Sequence, residues 1–204
     1  MKLIGSKPVN LIRIRDSAAF FITKPFVKVL SRGKISPNAL TLMGLAINLG
    51  AAYSVAVGHF LLGGGLILVS GLFDLLDGAL ARTAGRATKF GALLDSTVDR
   101  ASEAAIFCGL LFWASARGSE ATIVLASAVL IGSFLISYIR ARAEGLDMKC
   151  KVGLFTRAER VIVLAVGLLS GQVHIALWIL VVFIYVTVLQ RLFYVQKQTG
   201  DESN

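Results

Sequence analysis

The sequence predicts an all-α protein that crosses a membrane several times. Three observations predict it. The 204 residues are 56% hydrophobic and 16% charged, with a mean hydropathy of +0.76, whereas a water-soluble domain carries roughly a quarter charged residues. The apolar residues fall into blocks near the ~20 residues that cross a bilayer as a helix. The basic residues lie between those blocks, and on alternate connections.

Taken in order, residues 1–36 are a basic, mixed segment. Within it, residues 11–30 interleave Phe20, Phe21, Phe26 and Val29 with Arg13, Arg15, Lys24 and Lys28. That is the pattern of an amphipathic helix lying in the membrane interface. A basic lead-in that only sets orientation explains the same charges. Apolar runs follow at 39–58, 61–82, 90–114, 121–142 and 155–195. The last is too long for one crossing, and Ser170-Gly171-Gln172 is where it turns. The reading is one domain: an N-terminal cytoplasmic or interfacial segment (1–36), a core of six transmembrane helices (37–195) and a short cytoplasmic tail (196–204).

Charge orients this core. With six spans, 19 of the 21 Lys and Arg residues fall on one side, Arg117 on the other, and Arg100 within the third span. The positive-inside rule then places both termini in the cytoplasm. Five spans would move Arg191 and Lys197 outside. The formal charge of +9 suggests a nucleic-acid binder only until the charges are placed; they flank membrane spans and no recognition motif accompanies them, so no nucleic-acid partner is expected. Cys108 and Cys150 lack partners at disulfide or metal-ligand spacing. His59, His174, Trp113 and Trp178 lie near the non-cytoplasmic ends of spans and read as interfacial or packing residues.

Four acids interrupt the apolar runs. Asp74 and Asp77 are three apart near the end of span two; Asp95 and Asp99 are four apart near the start of span three. Each spacing puts both carboxylates on one helix face, and both pairs lie at the cytoplasmic end, facing each other across an antiparallel helix pair. Intramembrane carboxylates are costly and mark function. Four converging acids repel unless cations join them, and an oxygen-only set favours Mg²⁺ or Mn²⁺. Four carboxylates suffice for two ions, an arrangement suited to phosphoryl displacement. Gly78 and Gly91 allow close approach, and Arg82 is placed to pair with a phosphate. Pairing with Arg82, Arg86 or Arg100 alone is the blander account of these acids.

Asp74-x-x-Asp77-Gly78-x-x-Ala81-Arg82, then Gly91-x-x-x-Asp95-x-x-x-Asp99, resembles the signature of the CDP-alcohol phosphotransferase family, with every defining position filled. The six-span layout fits as well. The resemblance implies that Asp74, Asp77, Asp95 and Asp99 hold two metals, and that Asp99 is the general base for the acceptor hydroxyl. It implies donor contacts from Asp74, Asp77, Gly78, Arg82 and Thr88, and from Asn38, Ala39, Leu40 and Thr41. For Asn38 and Thr41, capping of the first helix after Pro37 is a rival account. A homodimer in a bacterial inner membrane, with a cytoplasmic active site, is likewise the family's implication.

The acceptor is read from arginines at the level of the acids. Arginine's planar fork suits a phosphate dianion, so a cluster there suggests an acceptor carrying its own phosphate. The stretches around Arg140, Arg160 and Arg191 resemble the actinobacterial branch of the family that makes phosphatidylinositol phosphate, in which basic residues at these positions line the acceptor pocket. The expectation is therefore transfer of a phosphatidyl group from CDP-diacylglycerol to 1D-myo-inositol 3-phosphate, releasing CMP. Glycerol 3-phosphate is the competing acceptor. Arg142 and Lys149 read as topology and lipid contact, and Arg157 is open to either role. A cation or proton transporter is the alternative outside enzymes; it would place charges near mid-membrane and show a repeat, and neither is visible.

Overall fold

The computed structural model describes residues 36–83, 88–150 and 152–202. The expected interfacial helix over 11–30 lies outside the described residues, as does Arg86. The described residues form six α-helices and no strands: α1 (Pro37–Ala56), α2 (Phe60–Thr83), α3 (Lys89–Ala116), α4 (Glu120–Glu144), α5 (Arg157–Leu169) and α6 (Val173–Glu202).

Local chemistry sets the boundaries. Ser36 caps α1, its hydroxyl accepting from the Ala39 N–H, with Pro37 at the first helical position, where a missing N–H costs nothing. Thr88 caps α3 through the Gly91 N–H. Thr156 and Glu159 form a capping box that opens α5. Gly171, at φ +71°, makes the turn between α5 and α6 where the sequence places it.

Four helical stretches are long and apolar enough to cross a membrane: Pro37–Ala56, Phe60–Asp77, Glu120–Glu144 and Val173–Thr199. The other two depart from the six-span expectation for different reasons. α3 has 28 residues, ample length, but its first turns carry Asp95, Asp99, Arg100 and Glu103. α5 has 13 residues, about 20 Å at 1.5 Å per residue, short of the ~30 Å hydrocarbon layer.

The helices close into a ring. α1 packs against α2 and α3, α2 against α5, α5 against α6, α6 against α4, and α4 against α3. α2 and α3, consecutive in the chain, do not pack directly; among the described residues no pair of their Cα atoms comes within 8 Å. The two acidic faces are thus not the faces of one packed helix pair. They stand on either side of α1 and look into the ring. Glycine permits the close packing of α1 on α3: a Cβ on Gly109 would collide with the Ala52 carbonyl oxygen.

The ring is filled by Val55, Ile67, Phe107, Leu110, Val129, Leu164, Leu177 and Ile184, among others. Its outer surface exposes Leu61, Phe112, Val124, Ile131, Trp178, Val182 and Phe193. Large apolar side chains outside and polar groups within are the pattern of a bundle solvated by lipid.

Candidate active site

The polar interior lies at one end of the ring, where the N-termini of α1, α3 and α5 meet the C-terminal parts of α2, α4 and α6. Its centre is Arg157, in the first turn of α5. One guanidinium nitrogen, Nη1, donates to Asp74 of α2 at 2.7 Å and lies 2.6 Å from Asp99 of α3. A residue whose role the sequence left open thus joins one acid from each pair. Arg100 approaches Asp99 at 3.7 Å. Asp95 is partly buried and close enough to Asp74, Arg100 and Arg157 for their charges to act on it.

Asp77 is 4% exposed and accepts a 2.7 Å hydrogen bond from the Thr41 hydroxyl. Thr41 is therefore more than a helix cap; it fixes a carboxylate of the neighbouring helix. α1 also comes close at Gly44, where a Cβ would lie 3.3 Å from Asp74 Oδ1.

The other donor-binding candidates gather at the same end. A Cβ on Gly91 would sit 3.0 Å from Thr88 Oγ1 and 3.1 Å from Asn38 Oδ1, so Asn38, Thr88 and Gly91 form one cluster. Ala39 is partly buried, while Leu40 is buried against Ala79 and Leu80 and faces α2. Gly78 and Arg82 lie in α2, one turn apart; the side chain of Arg82 lies outside the described residues.

The three acceptor arginines differ in setting. Arg140 is exposed and pairs with Glu144 one turn on, at 2.9 Å. Arg191 is buried, donating to the Val152 carbonyl at 3.0 Å and to the Ile136 carbonyl at 2.5 Å. Gly153, at φ +144°, lets the preceding loop lie against it, since a Cβ there would be 3.3 Å from Arg191 Nε. Arg160 is 4% exposed and holds Glu103 of α3 through Nε and Nη2, both at 2.9 Å. Arg191 is near enough for the charges of Arg140 and Arg160 to reach it. Glu103 escaped the sequence reading. Its signal was there: it continues the i, i+4 series of Asp95 and Asp99 along one face of α3.

Beside Arg157 is a small, partly open cavity of about 30 Å³, with Asn48, Ser70, Asp74, Glu103, Arg157 and Arg160 in its wall. Cys150 is buried and Cys108 exposed, both free. His174 bonds Thr122 at 3.2 Å at the far end of the bundle.

The donor set fits a hard divalent cation. It consists of carboxylate oxygens, and Asp74 and Asp99 already converge on one positive group. As the side chains stand, no three His, Cys, Asp or Glu residues among those described close round a single point; the Arg157 guanidinium lies between Asp74 and Asp99.

Residues 34–189 match the family described as CDP-alcohol phosphatidyltransferase. The phosphatidylinositol phosphate synthase of Mycobacteroides abscessus is 39% identical over 188 residues, covering 88% of this chain and 86% of that protein. The archaetidylinositol phosphate synthase of Pyrococcus horikoshii is 35% identical, covering 84% and 89%. Among solved structures, Mycobacterium tuberculosis phosphatidylinositol phosphate synthase with CDP-DAG bound superposes with a TM-score of 0.79 at 34% identity, over 85% of this chain and 93% of that one. The same enzyme in complex with manganese and citrate gives 0.77.

Proposed function

Since the chain belongs to the CDP-alcohol phosphatidyltransferase family, we propose that it transfers the phosphatidyl group of CDP-diacylglycerol to the hydroxyl of 1D-myo-inositol 3-phosphate. The products are phosphatidylinositol phosphate and CMP. One observation carries the reading: Asp74 and Asp99, one from each half of the family signature, share the Arg157 guanidinium at one end of the ring, beside arginines drawn from α4, α5 and α6. The relatives named above support the acceptor.

In this reading Asp74, Asp77, Asp95 and Asp99 hold two divalent ions, Mg²⁺ or Mn²⁺. Bound there, the ions supply neutralisation of the pyrophosphate and of the departing CMP oxygen. Thr41 keeps the Asp77 carboxylate in place through its hydroxyl. Asn38, Thr41, Gly78, Arg82 and Thr88, with the backbone at Ala39 and Leu40, line the donor's path. The acceptor oxygen attacks the phosphorus bearing the lipid, the phosphorus–oxygen bond to CMP breaks, and Asp99 takes the hydroxyl proton. Arg140, Arg160 and Arg191 hold the acceptor phosphate. The working protein is a homodimer with six crossings in a bacterial inner membrane, an interfacial N-terminal helix, and both termini and the site in the cytoplasm.

The test supplies purified protein and Mg²⁺ with CDP-diacylglycerol and, separately, inositol phosphate, glycerol 3-phosphate or free inositol. CMP release with inositol phosphate alone is expected. Release with glycerol 3-phosphate instead would make the chain a phosphatidylglycerophosphate synthase, and release with free inositol would remove the role of the arginines.

A further inference from the structure

Glu103 lies one turn further along α3 than Asp99, outside the acidic signature. It is nonetheless held by an arginine through both of its carboxylate oxygens. Its carboxylate takes two parallel hydrogen bonds from Arg160, at 2.9 Å each, with the two side chains 10% and 4% exposed. α3 and α5 stand apart across the ring, with no Cα pair within 8 Å among the described residues. The orientation of the Arg160 guanidinium relative to the acids on α3 is therefore set by side chains, and Glu103 holds two of its three nitrogens.

The third nitrogen points to a purpose. Arg160 Nη1 is buried and has no hydrogen-bond partner. Buried polar groups are ordinarily satisfied, and apolar residues would stabilise a purely structural contact here as well or better. A forked grip on one edge of a guanidinium leaves the remaining donor directed away from the carboxylate. Arg191 lies near enough to feel the charge of Arg160.

We propose that Glu103 is a positioning residue for acceptor recognition: it grips the Nε–Nη2 edge of Arg160 so that Nη1 is presented to the acceptor's phosphate. The inference rests on the acceptor reading above, and it gives one of the three arginines a defined orientation.

The experiment uses full-length protein in detergent micelles or vesicles, beginning with the wild type and each phosphorylated acceptor. Kinetics of Glu103→Gln are then measured with whichever acceptor the wild type uses. The variant keeps the shape but loses the charge and one hydrogen bond. The KM for the phosphorylated acceptor should rise about tenfold, with kcat and the KM for CDP-diacylglycerol changed less than about twofold. Glu103→Asp should fall between the two. An unchanged acceptor KM, or equal losses toward both substrates, would overturn the proposal. Should Glu103→Gln fold poorly, the exchanged pair Glu103→Arg with Arg160→Glu restores the ion pair in reverse. Thermal stability should recover while the acceptor KM stays high, and recovery of both would show a structural role only. A wild type preferring glycerol 3-phosphate would sink the inositol reading and leave this proposal to be decided on that acceptor. A wild type indifferent to phosphorylated acceptors would sink both.

Discussion

Replacing Thr41 with Val tests whether α1 helps build the metal site. The Thr41 hydroxyl donates to Asp77 at 2.7 Å, with both residues 4% exposed. Valine keeps the branched shape and removes only the donor. A hydrogen bond to a charged group contributes roughly 1.5–3 kcal/mol. At ~1.4 kcal/mol per factor of ten, its loss amounts to about 10–100-fold, the range found when a partner of a metal-ligating side chain is removed. The Mg²⁺ concentration for half-maximal CMP release should therefore rise about 10–100-fold, with the rate at saturating Mg²⁺ much less affected. Thr41→Ser keeps the hydroxyl and should stay near the wild type. The hydroxyl also lies 3.2 Å from the Pro37 carbonyl, but that acceptor has no bearing on metal affinity. A Thr41→Val protein with wild-type Mg²⁺ dependence would refute the argument that Asp77 is a ligand held in place from α1.

Three further outcomes are expected. Asp95→Asn and Asp99→Asn should each reduce CMP release at least about 100-fold in protein that still elutes as a folded species; full activity in either removes the metal-site argument. Gly109→Ala should destabilise the bundle by about 1–3 kcal/mol, seen as a lowered Tm, because its Cβ meets the Ala52 carbonyl; Gly65→Ala and Gly71→Ala, where a Cβ meets nothing within 4 Å, are the matched controls. A reporter fused after Asn204 should be cytoplasmic, and a signal from the opposite side would overturn the count of six crossings.

The apolar runs place the helices to within a few residues, except that α6 continues to Glu202, seven residues past the expected end at 195; several boundaries carry a local device the sequence displays: Pro37 after Ser36, the Thr156–Glu159 box, Gly171. The same box explains why α5 begins at Arg157, not Phe155. The order of the helices in the ring is a different matter. That α1 separates α2 from α3 depends on which faces interlock, at Gly44 beside Asp74 and Gly109 beside Ala52, and no periodicity encodes a choice of partner. The Asp spacings announce the site at once, since acids in apolar helices are rare. Arg157 and Glu103 were less legible. An arginine at a cytoplasmic helix end satisfies the topology rule whatever else it does, and a single acid beyond a strong motif reads as a satellite of it. Burial and partner identity, which separate Arg160 from the exposed Arg140, exist only in three dimensions.

The charges at this end of the ring bear on how a cation would be held. Asp74 and Asp99 share the Arg157 guanidinium, Asp95 feels the charges of Asp74, Arg100 and Arg157, and Glu103 is matched by Arg160. They sit in a partly buried setting where charge interactions are screened weakly, so the field that holds Arg157 between the carboxylates is one that would also draw in a divalent ion. Arg157 is central to the balance: its Nη1 lies between carboxylates from two helices with no Cα pair within 8 Å among the described residues, giving Asp74 and Asp99 a shared cation where the proposed ligands of a metal would converge.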